Sequence, residues 1–192
     1  DAHAAQSRAL LDTPREAPLL LAMGRLHSAK AHDVTLKALT KIPDAVLWIA
    51  GTGPLEGDLR ELAHDLGVAD RVRWLGWRSD AGALYRVADI VVFPSRVEPL
   101  GNVVIQAWAY GKPVIAAEAA GPKALIRSET DGLLVPIDDA EALALAIHRL
   151  NDDEPLRERI ASGGLARASE VSKAVVLPQW DALFDQLARE RT

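Results

Sequence analysis

The chain has 192 residues, 49% of them hydrophobic and 26% charged, which is enough to bury the core of one large domain, with or without a terminal extra element, and too apolar for a disordered or fibrous chain. Lysine and arginine number 22 against 27 aspartates and glutamates, a formal charge of -5, so no basic excess exists to neutralise a nucleic-acid backbone or an anionic membrane. The absence of cysteine excludes a disulfide framework, a thiolate metal site and a thiol nucleophile, no apolar stretch approaches the roughly 18 residues of a membrane span, and no signal-like segment opens the chain; the sequence reads as soluble and cytoplasmic.

Residues 1–16 read as a linker or frayed helix. Six short apolar runs follow, at Leu19–Met23, Val46–Ala50, Val72–Leu75, Ile90–Phe93, Val114–Ala117 and Leu133–Val135, rich in branched side chains and bounded by Gly, Pro or Asp. Between them, apolar residues recur at three or four positions over Asp33–Thr40, Leu55–Leu66, Ala81–Val87 and Val103–Tyr110, a helical spacing. Strands apolar along their whole length, alternating with helices, describe a parallel sheet covered on both faces. The fold class is therefore α/β, a Rossmann-like doubly wound parallel sheet of about six strands. Beyond Val135 the pattern is helical only, over Ala140–Leu150, Pro155–Ser169 and Val175–Glu190. Asp138 or Asp139 suits the N-cap of the first of these, and Pro155 a first turn where its missing N–H costs least. The last helix carries Trp180, Leu183, Phe184 and Leu187 on one stripe, expected to pack on the chain's own sheet.

Three strand-end loops carry the candidate chemistry. Gly51-Thr52-Gly53-Pro54 leaves a strand and opens a helix as a dinucleotide fingerprint would, but the next strand ends in Gly76, Trp77 and Arg78 rather than the acidic residue a nicotinamide ribose needs. The glycines read instead as a tight turn and Pro54 as the first helical residue. The loop Gly24-Arg25-Leu26-His27-Ser28-Ala29-Lys30 offers two cations at the carboxyl end of the first strand, where an α/β sheet binds its ligand. The loop Pro94-Ser95-Arg96-Val97-Glu98-Pro99-Leu100-Gly101-Asn102 places a carboxylate ahead of a helix whose first amides, at Gly101 and Asn102, suit an anion. Two cations, an amide cluster and a carboxylate are the mixture expected for a sugar attached to a diphosphate. Among the histidines, His3 falls in the tail, His64 and His148 in helices, and His27 alone near the expected phosphates. No Asp-x-Asp pair stands in a strand-end loop to hold a metal.

These loops, with Gly111-Lys112-Pro113-Val114-Ile115-Ala116, Gly121-Pro122 and Asp131-Gly132-Leu133-Leu134-Val135, resemble in order and spacing the C-terminal domain of group 1 glycosyltransferases, the retaining family 4 of the GT-B fold, over about residues 17 to 190. The resemblance implies one half of a GT-B fold, in which Arg25 and Lys30 neutralise the diphosphate of a UDP-sugar or GDP-sugar and Glu98 holds sugar hydroxyls, these three forming the catalytic set. Gly53, Leu100, Gly101, Asn102, Val103 and Gln106 are implied as donor-binding, with Trp77 or Arg78 near the base. The scheme needs no metal or other cofactor. Three positions depart from the family pattern: Gln106 stands where a second glutamate contacts the ribose, Ala31 where glycine commonly follows the loop lysine, and Ala124 where a glutamate often follows Gly-Pro-x.

The implied division is 1–16 as linker, 17–170 as the Rossmann-like nucleotide-sugar-binding domain, and 171–192 as a helix crossing to an N-terminal domain that has no counterpart in this chain. The implied function is the donor-binding half of a retaining hexosyltransferase of bacterial polysaccharide or lipopolysaccharide biosynthesis, inactive alone. Its acceptor would be a glycan or lipid-linked saccharide held by the other domain, at the cytoplasmic face of the inner membrane, with peripheral membrane association of the full enzyme and no nucleic-acid partner. The rival readings are a non-catalytic nucleotide-sugar-binding or scaffold domain, and another GT-B enzyme such as a sugar-nucleotide epimerase or a phosphorylase.

Overall fold

A strand with parallel neighbours on both sides and helices on both faces leaves no residue in water, so its run must be apolar throughout. Strands β1 (Leu19–Met23), β2 (Val46–Ala50), β4 (Ile90–Phe93) and β5 (Val114–Ala117) meet that condition, all buried except half-buried Met23. Strands β3 (Val72–Gly76) and β6 (Leu133–Val135) are more open. In the computed structural model, which describes residues 8–190, the six strands are parallel in the order β3-β2-β1-β4-β5-β6. This is the doubly wound order expected, and it places β3 and β6 at the edges, which explains their exposure.

Alternate strand residues supply two cores. Leu20, Ala22, Leu47, Ile49, Ile90 and Val92 face helices α1 (His32–Leu39), α2 (Glu56–Asp65) and, after the sheet, α6 (Ala140–Asp152). Leu19, Leu21, Trp48, Val91 and Phe93 face α3 (Ala81–Val87) and α4 (Asn102–Ala109), with α7 (Glu154–Glu170) packed on α4. Of the two candidate N-caps, Asp139 is the one that caps α6, accepting from the Ala142 amide at 2.8 Å, and Asp153 caps α7 by accepting from Leu156 at 2.8 Å. A short helix, α5 (Ala120–Leu125), has no counterpart in the sequence reading, because Gly121-Pro122 reads as a turn; proline is tolerated in a first helical turn. Pro54 lies in the turn just before α2 rather than in its first position.

One expectation is corrected and one is refined. The stripe on α8 (Lys173–Arg189) does not pack on the sheet: Trp180 is 51% exposed, Phe184 59%, Leu183 44% and Leu187 46%, and the helix buries none of its residues. The physical reason is that both sheet faces are already covered, one by α1, α2 and α6 and the other by α3, α4 and α7, so no apolar surface is left for it. Of the segment read as a linker or frayed helix, residues 1–7, with His3, lie outside the described residues; residues 8–10 are helical and residues 8–16 are tied down. Arg8, 8% exposed, donates through Nη1 to the carbonyls of Pro14, Arg15 and Ala17 and through Nη2 to Asp89 Oδ2 at 2.6 Å, and Trp48 Nε1 donates to Thr13 Oγ1 at 2.9 Å.

Candidate functional site

The strand order reverses between β1 and β4, and loops leaving the carboxyl ends of strands on either side of such a reversal splay apart into a crevice. On one side of it the loops after β1, β2 and β3 are joined backbone to backbone. The Gly24 amide donates to the Ala50 carbonyl at 3.0 Å, Leu26 to Thr52 at 3.0 Å, Gly51 to Gly76 at 2.8 Å and Leu55 back to Leu26 at 3.1 Å. The approach is so close that a Cβ on Gly51 would lie 1.9 Å from the Gly24 carbonyl oxygen and one on Gly53 2.3 Å from that of Leu26. Gly53 therefore serves loop packing and does not line the concavity, while Gly51 does both.

That concavity, about 400 Å³, is walled by Met23, Gly24 and Arg25 after β1, Ala50, Gly51 and Thr52 after β2, and Trp77 and Arg78 after β3. Arg25, Trp77 and Arg78 are thus brought together as expected. Arg25 is exposed, Trp77 is 74% exposed, and Arg78 is held by a two-point pair with Asp80, Nε to Oδ1 at 2.7 Å and Nη2 to Oδ2 at 2.6 Å. Lys30, Glu98 and Gln106 lie outside its walls.

Across the strand reversal, Lys30 and Glu98 form one unit. Lys30 Nζ donates to Glu98 Oε2 at 2.5 Å and sits 5.4 Å from the centre of the Phe93 ring. Glu98 Oε1 turns the other way and accepts from the Gly101 amide at 3.0 Å and from Leu100 at 3.4 Å. Partial burial alone would raise the Glu98 pKa, but the ammonium and the two amides outweigh it and hold the carboxyl below its ordinary value. The Gly101 amide, expected to be open to an anion, is taken by Glu98. The amides of Asn102 and Val103 at the α4 N-terminus are first-turn N–H groups that the helix itself cannot satisfy. Gly101 enters the helix with φ of 96°, a left-handed conformation that suits glycine, and Leu100 before it is 52% exposed.

Gln106 stands one turn further along α4, exposed, with its Oε1 accepting from the Tyr85 hydroxyl at 3.0 Å. Tyr85 stacks in turn on Tyr110, ring centres 5.4 Å apart. Ala31 is fully buried and left-handed, φ 53°, which accounts for glycine being common there in the resembling family. His27 Nδ1 accepts from the Ala29 amide at 3.2 Å, a local cap of the 3-10 turn Ser28–Lys30.

Two features of the site escape the sequence reading. His32 is 3% exposed, its imidazole set against the backbone of Gly24 and Arg25, and burial outweighs these contacts and pushes its pKa down from 6.5 to about 4. Its signal was available: His32, Thr35, Leu36 and Leu39 fall on one buried helical stripe. Arg96, in the loop ahead of α4, joins Asp33 through Nη1 to Oδ1 at 2.9 Å and Nη2 to Oδ2 at 2.7 Å, and Asp138 through Nε at 2.5 Å. Its partner Asp33 lies 63 residues away, and nothing local announces the pair.

A six-stranded sheet of order 321456 with ligand-type loops at its reversal and trailing helices is one half of a GT-B architecture. The sequence profile of glycosyl transferases group 1 matches residues 17–153, and the chain belongs to that family. It is 41% identical over 160 residues to the lipopolysaccharide core biosynthesis glycosyltransferase LpsE of Rhizobium meliloti (strain 1021), covering 83% of this chain and 47% of LpsE. The chain spans about half the length of the curated relatives it matches. Among solved structures, Anabaena HepE in complex with UDP-glucose superposes with a TM-score of 0.89 at 27% identity, over 98% of this chain and 53% of HepE. The C-terminal domain of the group 1 glycosyl transferase LpcC from Francisella tularensis shares the fold, TM-score 0.77 at 22% identity, over 89% of this chain and 92% of that one. Among the described residues no helix is long and apolar enough to cross a membrane.

Proposed function

We propose that this chain is the nucleotide-diphosphate-sugar-binding half of a retaining hexosyltransferase. The observation that carries the reading is the Lys30–Glu98 unit at the β1/β4 reversal, flanked by Arg25 on one side and the α4 N-terminus on the other. The base and ribose occupy the concavity beside Trp77 and Arg78, and Gln106, turned outward on α4, approaches the ribose. The diphosphate bridges Arg25, Lys30 and the amides of Asn102 and Val103, where charge building on the leaving group is met by fixed positive groups and dipoles. Glu98 accepts from sugar hydroxyls, and its low pKa keeps it an acceptor at neutral pH. An acceptor hydroxyl then attacks from the face the nucleoside diphosphate leaves.

The complex of HepE with UDP-glucose supports a UDP-sugar donor, with GDP-sugars the alternative, and the name of LpsE supports a glycan or lipid-linked acceptor in lipopolysaccharide core assembly at the cytoplasmic face of the inner membrane. Acceptor binding belongs to a separate N-terminal domain, for which the exposed apolar stripe of α8 is a candidate contact, and residues 1–192 alone transfer no sugar. The test is a thermal-shift and calorimetric panel of UDP, GDP, ADP and their sugars on this chain. Stabilisation by one nucleotide family with no transfer is expected. No response to any nucleotide favours the scaffold reading, and measurable glycosyl transfer by this chain alone overturns the half-enzyme reading.

A further inference from the structure

The β1–α1 and β4–α4 loops run side by side as a short ladder. Ser28 accepts from Arg96 Nη1 at 2.8 Å, Ala29 accepts from the Arg96 and Val97 amides at 2.9 and 3.3 Å, and Lys30 meets Glu98 at 2.5 Å. Arg96 provides two of these rungs and then reaches beyond them, gripping Asp33 in the first turn of α1 with both Nη atoms and Asp138, just ahead of α6, with Nε. Four of its five N–H groups are consumed within the protein, so the guanidinium is not offered to a ligand.

We propose that Arg96 is a positioning residue for the donor site: its planar fork fixes the loop bearing Glu98 against the loop bearing Lys30 and so sets the spacing between the sugar-hydroxyl acceptor and the phosphate cation. The role rests on the donor-binding reading, but the geometry it describes is a property of the protein itself.

Three observations favour a spacing device over a generic surface ion pair. The Arg96 and Asp33 side chains are only 28% and 27% exposed, a partly desolvated setting in which a two-point guanidinium–carboxylate pair holds its geometry. Three of its four partners lie on a segment that carries or abuts a site residue: Ser28 and Ala29 lie just ahead of Lys30, and Asp33 follows it in the first turn of α1. Asp138, the third anchor, sits at φ 63°, a left-handed backbone that is uncommon for residues other than glycine though aspartate adopts it more readily than most, and it presents its carboxylate to Arg96 Nε. A lysine could reach one of these partners but could not bridge Asp33, Asp138 and Ser28 together.

The test reads Glu98 without a ligand. Carbon-13 NMR of the side-chain carboxyl, assigned with Glu98→Gln, follows its titration in the full chain. Glu98 faces Lys30, Asp33 faces Arg96 and Lys37, and Asp138 faces Arg96. In the wild type the carboxyl titrates below the ordinary range. In Arg96→Ala, with neither Glu98 nor Lys30 altered, it moves up towards the ordinary value as the ammonium and carboxylate drift apart. Arg96→Lys, which keeps the charge and loses the fork, moves in the same direction, and Asp33→Asn, a milder change, serves if Arg96→Ala does not fold.

A binding arm compares UDP with UDP-sugar by calorimetry. The affinity gained from the sugar falls about tenfold in the folded variants, and UMP binding is unchanged. Glu98 titrating in a folded Arg96→Ala or Asp33→Asn variant as it does in the wild type overturns the proposal. So does a wild-type titration in Arg96→Lys, which would leave only the charge at work. If the wild type binds no nucleotide sugar, the donor reading fails while the titration still decides the positioning role.

Discussion

The two flanks of the crevice are built on different principles. The β1–β2–β3 flank is made of backbone: amide-to-carbonyl bonds between successive loops, closed at Gly51 and Gly53 to distances no side chain could occupy. The β4 flank is made of charge, with Glu98 shared between Lys30 and the head of α4 and Arg96 shared between Asp33 and Asp138. Backbone packed to contact has one arrangement, and changing it requires moving strands. Ion pairs can exchange partners, and an arriving phosphate or hydroxyl competes for the same groups. The flank proposed for base and ribose is thus held by backbone alone, whereas on the flank proposed for diphosphate and sugar the Lys30–Glu98 pairing is open to exchange within a frame held by Arg96.

Substitutions that should be costly on one flank and mild on the other test this contrast. Gly51→Ala is expected to have the largest effect, since its Cβ would sit 1.9 Å from the Gly24 carbonyl at a φ of 150°. Destabilisation of about 3 kcal/mol is expected in denaturant melts, and a loss below about 1 kcal/mol would show the loops to be far softer than described. His32, buried beneath the same flank, comes next. Its pKa lies near 4 in the folded chain against 6.5 unfolded, so the unfolded chain takes up the proton first. Stability therefore falls as pH drops from 6.5 towards 4, by about 3 kcal/mol in all. His32→Leu should remove that part of the slope, and parallel wild-type and variant curves over this window would contradict it.

On the charged flank and its border, the expected losses are in binding and not in folding. Arg25→Ala and Lys30→Ala should each weaken UDP binding by about 1.5 to 3 kcal/mol in calorimetry, with melting little altered for Arg25; unchanged binding in a folded double variant would remove both from the site. Gln106→Glu is a gain: a carboxylate keeps an acceptor for the Tyr85 hydroxyl and adds one for the ribose, so UDP affinity should hold or rise by up to about 1.5 kcal/mol. The smallest effect is expected on neither flank. Trp180→Ser on the open face of α8 should change the melting of this chain by less than about 0.5 kcal/mol, and a larger loss would mean the face is packed.

How far these flanks could be read from the sequence follows from the range of the interactions that build them. The four inner strands were legible because burial on both faces forces an uninterrupted apolar run, the two edge strands because their short branched runs are bounded by turn residues, and the α6 cap was legible to within one residue, as Asp138 or Asp139, because an N-cap acts over three residues. Arg25, Trp77 and Arg78 come together because loops at the same ends of neighbouring strands must. The Lys30–Glu98 pair spans 68 residues and the Arg96–Asp33 pair 63, and no spacing rule relates such positions. The Gly101 amide was misjudged for a local reason: a glutamate three residues ahead of it folds back and claims it. Periodicity revealed the stripe of Trp180, Phe184 and Leu187, but periodicity reports that a face exists and not what covers it.

The tether described at the opposite end of the sheet has a mechanical consequence. Asp89 Oδ2 receives Arg8 Nη2 at 2.6 Å and the Leu19 amide at 2.8 Å, so one carboxylate holds the roots of both β1 and β4. At their far ends the loops of the same two strands are joined through Arg96. The central pair of strands is thus a beam fixed at both ends by an arginine, with the entering segment at residues 8–17 bolted to its base through the Pro14, Arg15 and Ala17 carbonyls. A pull applied through that segment loads β1 and β4 together and carries the Glu98 and Lys30 loops as one body, without shearing them past each other.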